Sequence, residues 1–295
     1  MLGALSNDDL RRLVPTWLAS FINEPWRTTN IARVQTLVDG WTEHDFSELR
    51  RVATGDFREP KVYEAVGTCR ALSRTYCHDI LGDPQVDGVP WLEVALSRGP
   101  TLVLCNHLSY TDANAVDALL AWSGATELAD RLTVAVGPKV FEAPFRRLAS
   151  SAMHIIPVPQ PAGVSSRENM RDLAQLARQS MEAAHEAMQS GRIGCVFPEG
   201  SRSRTRRLQP FQRGIRRWLR LEGLQVVPAA LWGTEQVMPV GDDTGFEPHP
   251  VRLKFAPPYA VGPDGEPTTV LEKTFAAIAS RLPQPLQPTE FRALT

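Results

Sequence analysis

Thr101-Leu102-Val103-Leu104-Cys105-Asn106-His107-Leu108-Ser109-Tyr110-Thr111-Asp112 is the stretch on which the fold turns. Its first five residues are a short, continuous apolar run, as expected of a strand buried on both faces of a parallel sheet. The run opens into a polar turn, after which Ala113 to Trp122 suits a helix. Outward from this unit the alternation recurs. Leu132 to Val136, Ile155 to Val158, Ile193 to Phe197, Val226 to Leu231 and Val251 to Phe255 read as strands. A long helix is predicted from about Arg167 to Gln189, capped by Ser165-Ser166 and stopped at Gly191. Strands separated by helical segments predict an α/β fold, with a mostly parallel central sheet flanked by helices.

Upstream the periodicity changes. Leu10, Leu13, Val14, Trp17, Leu18 and Phe21 recur at helical spacing after the cap-like Ser6-Asn7-Asp8. A second helix is expected after the cap candidate Asn30, a third around Phe46, Leu49 and Val52, and a fourth from Pro60 to Ile80. This predicts a small N-terminal helical bundle. Gly82-Asp83-Pro84 and Asp87-Gly88-Val89-Pro90 then break the pattern, which sets the expected domains at 1–82 and 83–295. The proline-rich tail Pro283 to Pro288 is expected to be extended and exposed.

Composition narrows the class. With 43% hydrophobic residues and a net charge of -1, dominant disorder is excluded. Thirty-two basic residues are offset by 33 acidic ones, which argues against a chain-wide nucleic-acid partner. Of the basic residues only Lys61, Lys139, Lys254 and Lys273 are lysines, so an arginine cluster carries less weight here than usual. Cys69, Cys77, Cys105 and Cys195 show no metal-ligand spacing and read as reduced, buried thiols. The start MLGALSNDDLRRLV lacks the pattern of a signal peptide, and no window approaches a spanning helix of about 18 apolar residues. A cytoplasmic protein is expected, soluble or lying peripherally on the inner face of the cytoplasmic membrane.

Ligands of open α/β sheets sit beyond the carboxyl ends of strands, which is where His107 is delivered. Five residues on, Asp112 can return across the turn onto the imidazole, fix its tautomer and leave Nε2 free to take a proton from a hydroxyl. The same pair also reads as a helix cap beside a turn histidine. Ser109 stands in no GxSxG elbow, and His154 and His185 read as structural. A second polar stretch, Phe197-Pro198-Glu199-Gly200-Ser201-Arg202-Ser203-Arg204, follows another apolar strand and should open on the same rim. There Arg202 and Arg204 can fork onto phosphate oxygens. A solvated basic loop is the competing reading. Arg213, Arg216, Arg217 and Arg220 are expected on one side of a helix with Trp218, read first as a solvated face and alternatively as a contact for anionic lipid or the phosphates of coenzyme A.

In order and spacing these blocks resemble the phospholipid/glycerol acyltransferase family, which includes the lysophosphatidic acid and glycerol-3-phosphate acyltransferases. Asn106 to Asp112 stands where that family has NHxxxxD, and Phe197 to Ser203 resembles its FPEGTRS block, with Ser201 replacing the commoner Thr. Gly137-Pro138-Lys139-Val140-Phe141 through Pro144-Phe145, Pro210 to Gly214, and Val227-Pro228-Ala229-Ala230 are similar to further blocks. The resemblance covers roughly residues 85–260.

It implies a catalytic dyad of His107 and Asp112, and acceptor binding by Lys139, Glu199, Gly200, Ser201, Arg202 and Arg204. It also implies acyl-CoA or acyl carrier protein as donor, with no tightly bound cofactor and no metal. A phosphorylated or lysolipid acceptor is implied as well, along with peripheral membrane contact. Two departures bear on the acceptor. The family often carries Asp-Arg after the strand that here reads Ile155 to Val158, whereas this chain continues Pro159-Gln160-Pro161. A leading helical bundle is more similar to the plastid glycerol-3-phosphate acyltransferases, yet no motif in residues 1–80 aligns. A non-glycerolipid hydroxyl as acceptor, or a non-catalytic binding protein of the same fold, therefore stays open.

Overall fold

The structure, a computed structural model, describes residues 2–160, 167–241, 245–262, 266–290 and 293–294; the expected Ser165-Ser166 cap lies outside them. Four helices come first: α1 (Asn7–Ala19), α2 (Trp26–Asp39), α3 (Glu43–Thr54) and α4 (Gly67–Ile80). Then follow β1 (Leu81–Asp87), α5 (Pro90–Arg98), β2 (Thr101–Cys105), α6 (Asp112–Trp122), α7 (Thr126–Asp130) and β3 (Leu132–Val136). Next are α8 (Pro144–Ser150), β4 (His154–Pro157), α9 (Arg167–Gln189), β5 (Ile193–Val196) and β6 (Gln225–Trp232). The chain closes with α10 (Thr234–Val237), β7 (His249–Phe255), β8 (Tyr259–Ala260) and α11 (Pro267–Ala279).

Among the described residues the strands form one sheet in the order β1-β7-β6-β2-β5-β3-β4, with β8 beside β6. Pairing is parallel except where β7 and β8 run antiparallel to β6. The sheet is therefore α/β and mostly parallel. β2 lies centrally between β5 and β6 with every residue buried, which is what its uninterrupted apolar run requires. One face is covered by α1–α4, α6 and α8, and Leu10, Val14, Leu72, Val103 and Val134 belong to one continuous core there. The other face carries α9, α11 and the 3₁₀ turns of Arg213–Arg220, with Leu102, Leu104, Trp218 and Phe275 packed together.

Several local expectations shift. Gly82-Asp83-Pro84 does not interrupt the chain but sits in β1, an edge strand that slips register between Gly82 and Gln85; only an edge leaves room for a proline without a ladder N–H. α2 begins at Trp26, so Asn30 is no cap: it is buried inside the helix, and its Nδ2 donates to Asp79 at 2.9 Å. α4 starts at Gly67, because Tyr63 is held extended in a bridge to Ile155. The tail turns into a short 3₁₀ helix, Gln284–Leu286, with Leu286 buried against the second core. The arginine run forms 3₁₀ turns whose Ile215, Trp218 and Leu219 are buried.

Arg74 ties the leading helices to the sheet layer. From α4 its Nε and Nη2 fork onto Asp117 of α6 at 2.8 and 2.9 Å, and Nη2 also reaches Asp130 at 2.9 Å. The Asp117 side chain is 1% exposed, and burial pushes its carboxyl upward against the pull of the guanidinium. Removing one partner of a buried pair strands the other charge, at a cost of about 3–5 kcal/mol. Arg74→Ala is therefore expected to lower stability by about 3 kcal/mol, measured as a lower urea midpoint with unchanged slope.

Candidate active site

The site grows from the carboxyl end of β2. Asn106 continues the ladder with its side chain: Nδ2 donates to the Leu231 carbonyl and Oδ1 accepts from the Leu231 N–H, both at 2.8 Å. The backbone is thereby released from the sheet one residue later, at His107. The turn that follows is organised around Asp112, the first residue of α6, which is fully buried. Its Oδ2 accepts from the backbone N–H groups of Leu108 at 2.6 Å and Ser109 at 2.9 Å, and lies 2.8 Å from His107 Nδ1. Its Oδ1 accepts from the Thr234 hydroxyl at 2.6 Å. Thr234 reaches this position because Gly233 adopts φ +96 with the Pro250 carbonyl beneath it, where a Cβ would meet that oxygen at 2.1 Å.

Asp112 thus is a cap and also holds the imidazole. Two backbone donors on Oδ2 mark it as an acceptor, so the Nδ1–H of His107 points at it and Nε2 is the ring nitrogen left over. Among the described residues nothing hydrogen-bonds Nε2. The ring stacks on Phe197 with centroids 4.4 Å apart and planes 23° apart, so its orientation is fixed from a second side. Ser109 is fully buried and donates its hydroxyl to the Met238 carbonyl at 3.1 Å, which removes it as a nucleophile.

The second loop leaves β5, the neighbour of β2, and is stitched to the first. Glu199 accepts the His107 N–H on Oε1 at 2.7 Å and the Gln209 N–H on Oε2 at 2.8 Å, while Ser203 N–H donates to the His107 carbonyl at 2.8 Å. Burial pushes the Glu199 carboxyl up to about 8, against the two backbone donors that favour its charged form. Both of its oxygens are engaged in holding the loops together, a bracing role that the sequence reading of an acceptor ligand missed. Gly200 turns the chain at φ +72, a left-handed conformation that a side chain disfavours.

These loops wall a cavity of about 1190 Å³, larger than the roughly 300–1,000 Å³ of ordinary small-molecule sites. His107, Lys139, Glu199, Gly200, Ser201, Arg202 and Arg204 all line it, with Asp112 behind His107. The cavity straddles the carboxyl edge of the sheet. On one face it is floored by Leu72, Tyr76 and Leu148; on the other by Leu173, Ala177 and Trp218. Cys69 and Cys77 also lie along it, and burial pushes both thiols up to about 12. Arg202 stacks its guanidinium 3.5 Å over the Tyr110 ring. Arg146 of α8 and Tyr110 also line the cavity, and the sequence gives neither of them a role. The arginine skew of the composition hides such a position among many others.

Residues 89–232 match the profile of the Acyltransferase family. That stretch, which holds both motif loops, is similar to the phospholipid/glycerol acyltransferase family. Among curated proteins, it is similar to the 1-acyl-sn-glycerol-3-phosphate acyltransferase BAT2, chloroplastic, of Brassica napus, 27% identical over 147 residues. The corresponding LPAT1 protein of Arabidopsis thaliana is 26% identical over 147 residues. Both matches take in 50% of this chain but only 37% and 36% of those relatives' own lengths. Among solved structures, the 1-acyl-sn-glycerophosphate acyltransferase PlsC from Thermotoga maritima shares the fold, with a TM-score of 0.51 at 17% identity, covering 92% of this chain and 96% of that one. Among the described residues, no helix is long and apolar enough to cross a membrane.

Proposed function

We propose that this protein is an O-acyltransferase. It would move a fatty acyl group from acyl-CoA or acyl carrier protein to a hydroxyl of glycerol-3-phosphate or of a lysophospholipid such as 1-acylglycerol-3-phosphate. The observation that carries this reading is a His107 ring locked by a buried carboxylate on the wall of a large cavity that also holds Lys139, Arg202 and Arg204. The curated relatives, whose names give 1-acyl-sn-glycerol-3-phosphate as acceptor, favour the glycerolipid choice.

The proposed chemistry uses that geometry. His107 Nε2 takes the proton of the acceptor hydroxyl as its oxygen attacks the thioester carbonyl carbon. Asp112 keeps the ring in place and stabilises the imidazolium that forms. The tetrahedral adduct then expels the thiolate, the C–S bond breaks, and the imidazolium returns its proton to sulfur. A thiol with an unperturbed pKa of about 8.5 leaves readily, so no acyl-enzyme is needed. Lys139, Ser201, Arg202 and Arg204 hold the acceptor, which supplies proximity. Met170 and Val240, both exposed, line the cavity and support the reading of peripheral contact with a membrane surface, from which a lipid substrate would enter; the inner face of the cytoplasmic membrane is the surface proposed.

The test is release of free thiol from acyl-CoA or acyl carrier protein, with and without each acceptor. Acceptor-dependent release with glycerol-3-phosphate or 1-acylglycerol-3-phosphate is expected. Release that responds only to a hydroxyl lacking a phosphoglycerol points to another acceptor class, and no release with any acceptor points to a binding protein. Within this reading, Arg202→Ala is expected to raise KM for the phosphorylated acceptor at least about tenfold while leaving KM for the donor unchanged. Initial-rate kinetics with each substrate varied in turn check it.

A further inference from the structure

Arg146 and its neighbour Arg147 sit side by side on α8 yet do different things. Arg147 is spent on structure: Nη1 donates to the Ala53 carbonyl at 2.8 Å, and Nε and Nη2 donate to the Phe141 carbonyl at 3.2 and 2.7 Å. Arg146 has neither hydrogen bond nor ion pair among the described residues, and its Nε is buried without a partner. Its guanidinium lies 4.8 Å from the centroid of the Tyr110 ring. Arg202, from the loop after β5, lies 3.5 Å over the same ring, and its Nη1 is likewise buried and unpartnered.

Two guanidiniums are thus gathered on one aromatic ring, three residues after His107, on the wall of one cavity. Neither forms an ion pair with a carboxylate among the described residues. Like charges at such spacing repel, and buried N–H donors left without acceptors are costly. The ring quadrupole offsets part of that cost for each cation. What satisfies both the charge and the orphaned donors is an anion with several acceptor oxygens, for which guanidiniums offer matching forks.

We infer that Arg146 is a second phosphate ligand for the acyl acceptor, acting with Arg202 across Tyr110, and that this pair makes the enzyme select a phosphomonoester over a neutral alcohol. The inference rests on the phosphorylated-acceptor reading above. The acceptor phosphate lies against Arg146 and Arg202, which sets its hydroxyl toward His107. Tyr110 keeps the two cations in register while the site is empty. Arg146 therefore acts on acceptor affinity and selectivity and takes no part in proton transfer.

The experiment compares kcat/KM for 1-acylglycerol-3-phosphate with that for the neutral 1-acylglycerol, in wild type, Arg146→Met, Arg146→Lys and Arg202→Met. Arg146→Met is expected to raise KM for the phosphorylated acceptor at least about tenfold, with kcat and donor KM within about threefold, and to collapse the preference for it over the neutral one. Arg146→Lys is expected to recover part of that preference, because it restores charge without the fork. A preference kept by Arg146→Met but lost by Arg202→Met overturns the role of Arg146 alone. A wild type without preference for the phosphorylated acceptor overturns the acceptor reading beneath it. Should Arg146→Met fail to fold, as judged by its thermal melt, Arg146→Lys decides: an unchanged preference in that variant also overturns the inference.

Discussion

His107→Ala is expected to abolish acyl transfer while leaving the fold in place. An alcohol is a weak nucleophile until its proton is removed, and a positioned general base contributes about 10²–10⁴-fold. In the proposed mechanism the same ring also returns the proton to the departing sulfur. Both contributions vanish together, so a fall of at least about 10³ in kcat is expected, equivalent to about 4 kcal/mol in the barrier. Stability should change little. The backbone N–H of residue 107 keeps its bond to Glu199, and Asp112 keeps its three other donors. The stacking on Phe197 is lost, worth about 0.5–1.5 kcal/mol. Thiol-release kinetics beside a thermal melt check both halves. Near-normal turnover by a folded variant removes His107 from the chemistry.

Asp112 separates into two experiments, because its carboxylate does two things. In Asp112→Asn the amide oxygen takes the place of Oδ2, since the Leu108 and Ser109 N–H groups cannot face an NH₂. The amide nitrogen then meets Thr234, whose hydroxyl rotates to accept. The hydrogen bonds and the histidine tautomer survive and only the negative charge is gone. Turnover should fall about 10²-fold with modest loss of stability. Asp112→Ala removes the acceptor altogether and leaves two backbone donors and a hydroxyl buried without partners. At about 1–3 kcal/mol for each stranded donor, destabilisation of about 3 kcal/mol or more is expected. Equal melting temperatures for the two variants contradict this account, as does wild-type turnover by Asp112→Asn.

The parts of the molecule legible in the sequence are those in which one residue type answers to one physical demand. A five-residue apolar run has no place except between two other strands, and β2 lies there. The His107–Asp112 spacing was readable because a tight turn at a strand end brings its fifth residue back. What escaped were features set by distant partners. β1 carries Pro84 and glycine, and is a strand only because β7 arrives beside it. α11 shows an apolar stripe of Val270, Leu271, Phe275 and Ile278 behind the starting Pro267, a signal available in the sequence but left out of the reading. The use of Glu199 as a brace could not be seen, since its partners are main-chain N–H groups from positions 107 and 209. The pairing of Arg146 with Arg202 on Tyr110 joins three segments far apart in the chain.

The two thiols along the cavity bear on where an acyl thioester is safe. A thioester is open to attack by any thiolate, and capture by a cysteine would leave the acyl chain on the protein. With burial raising Cys69 and Cys77 to about 12, the reactive thiolate is scarce near neutral pH. At these two positions the lining therefore supplies soft, oily atoms rather than reactive thiolates, and under the proposed function a donor seated there would be left for the incoming alcohol rather than for capture by these cysteines.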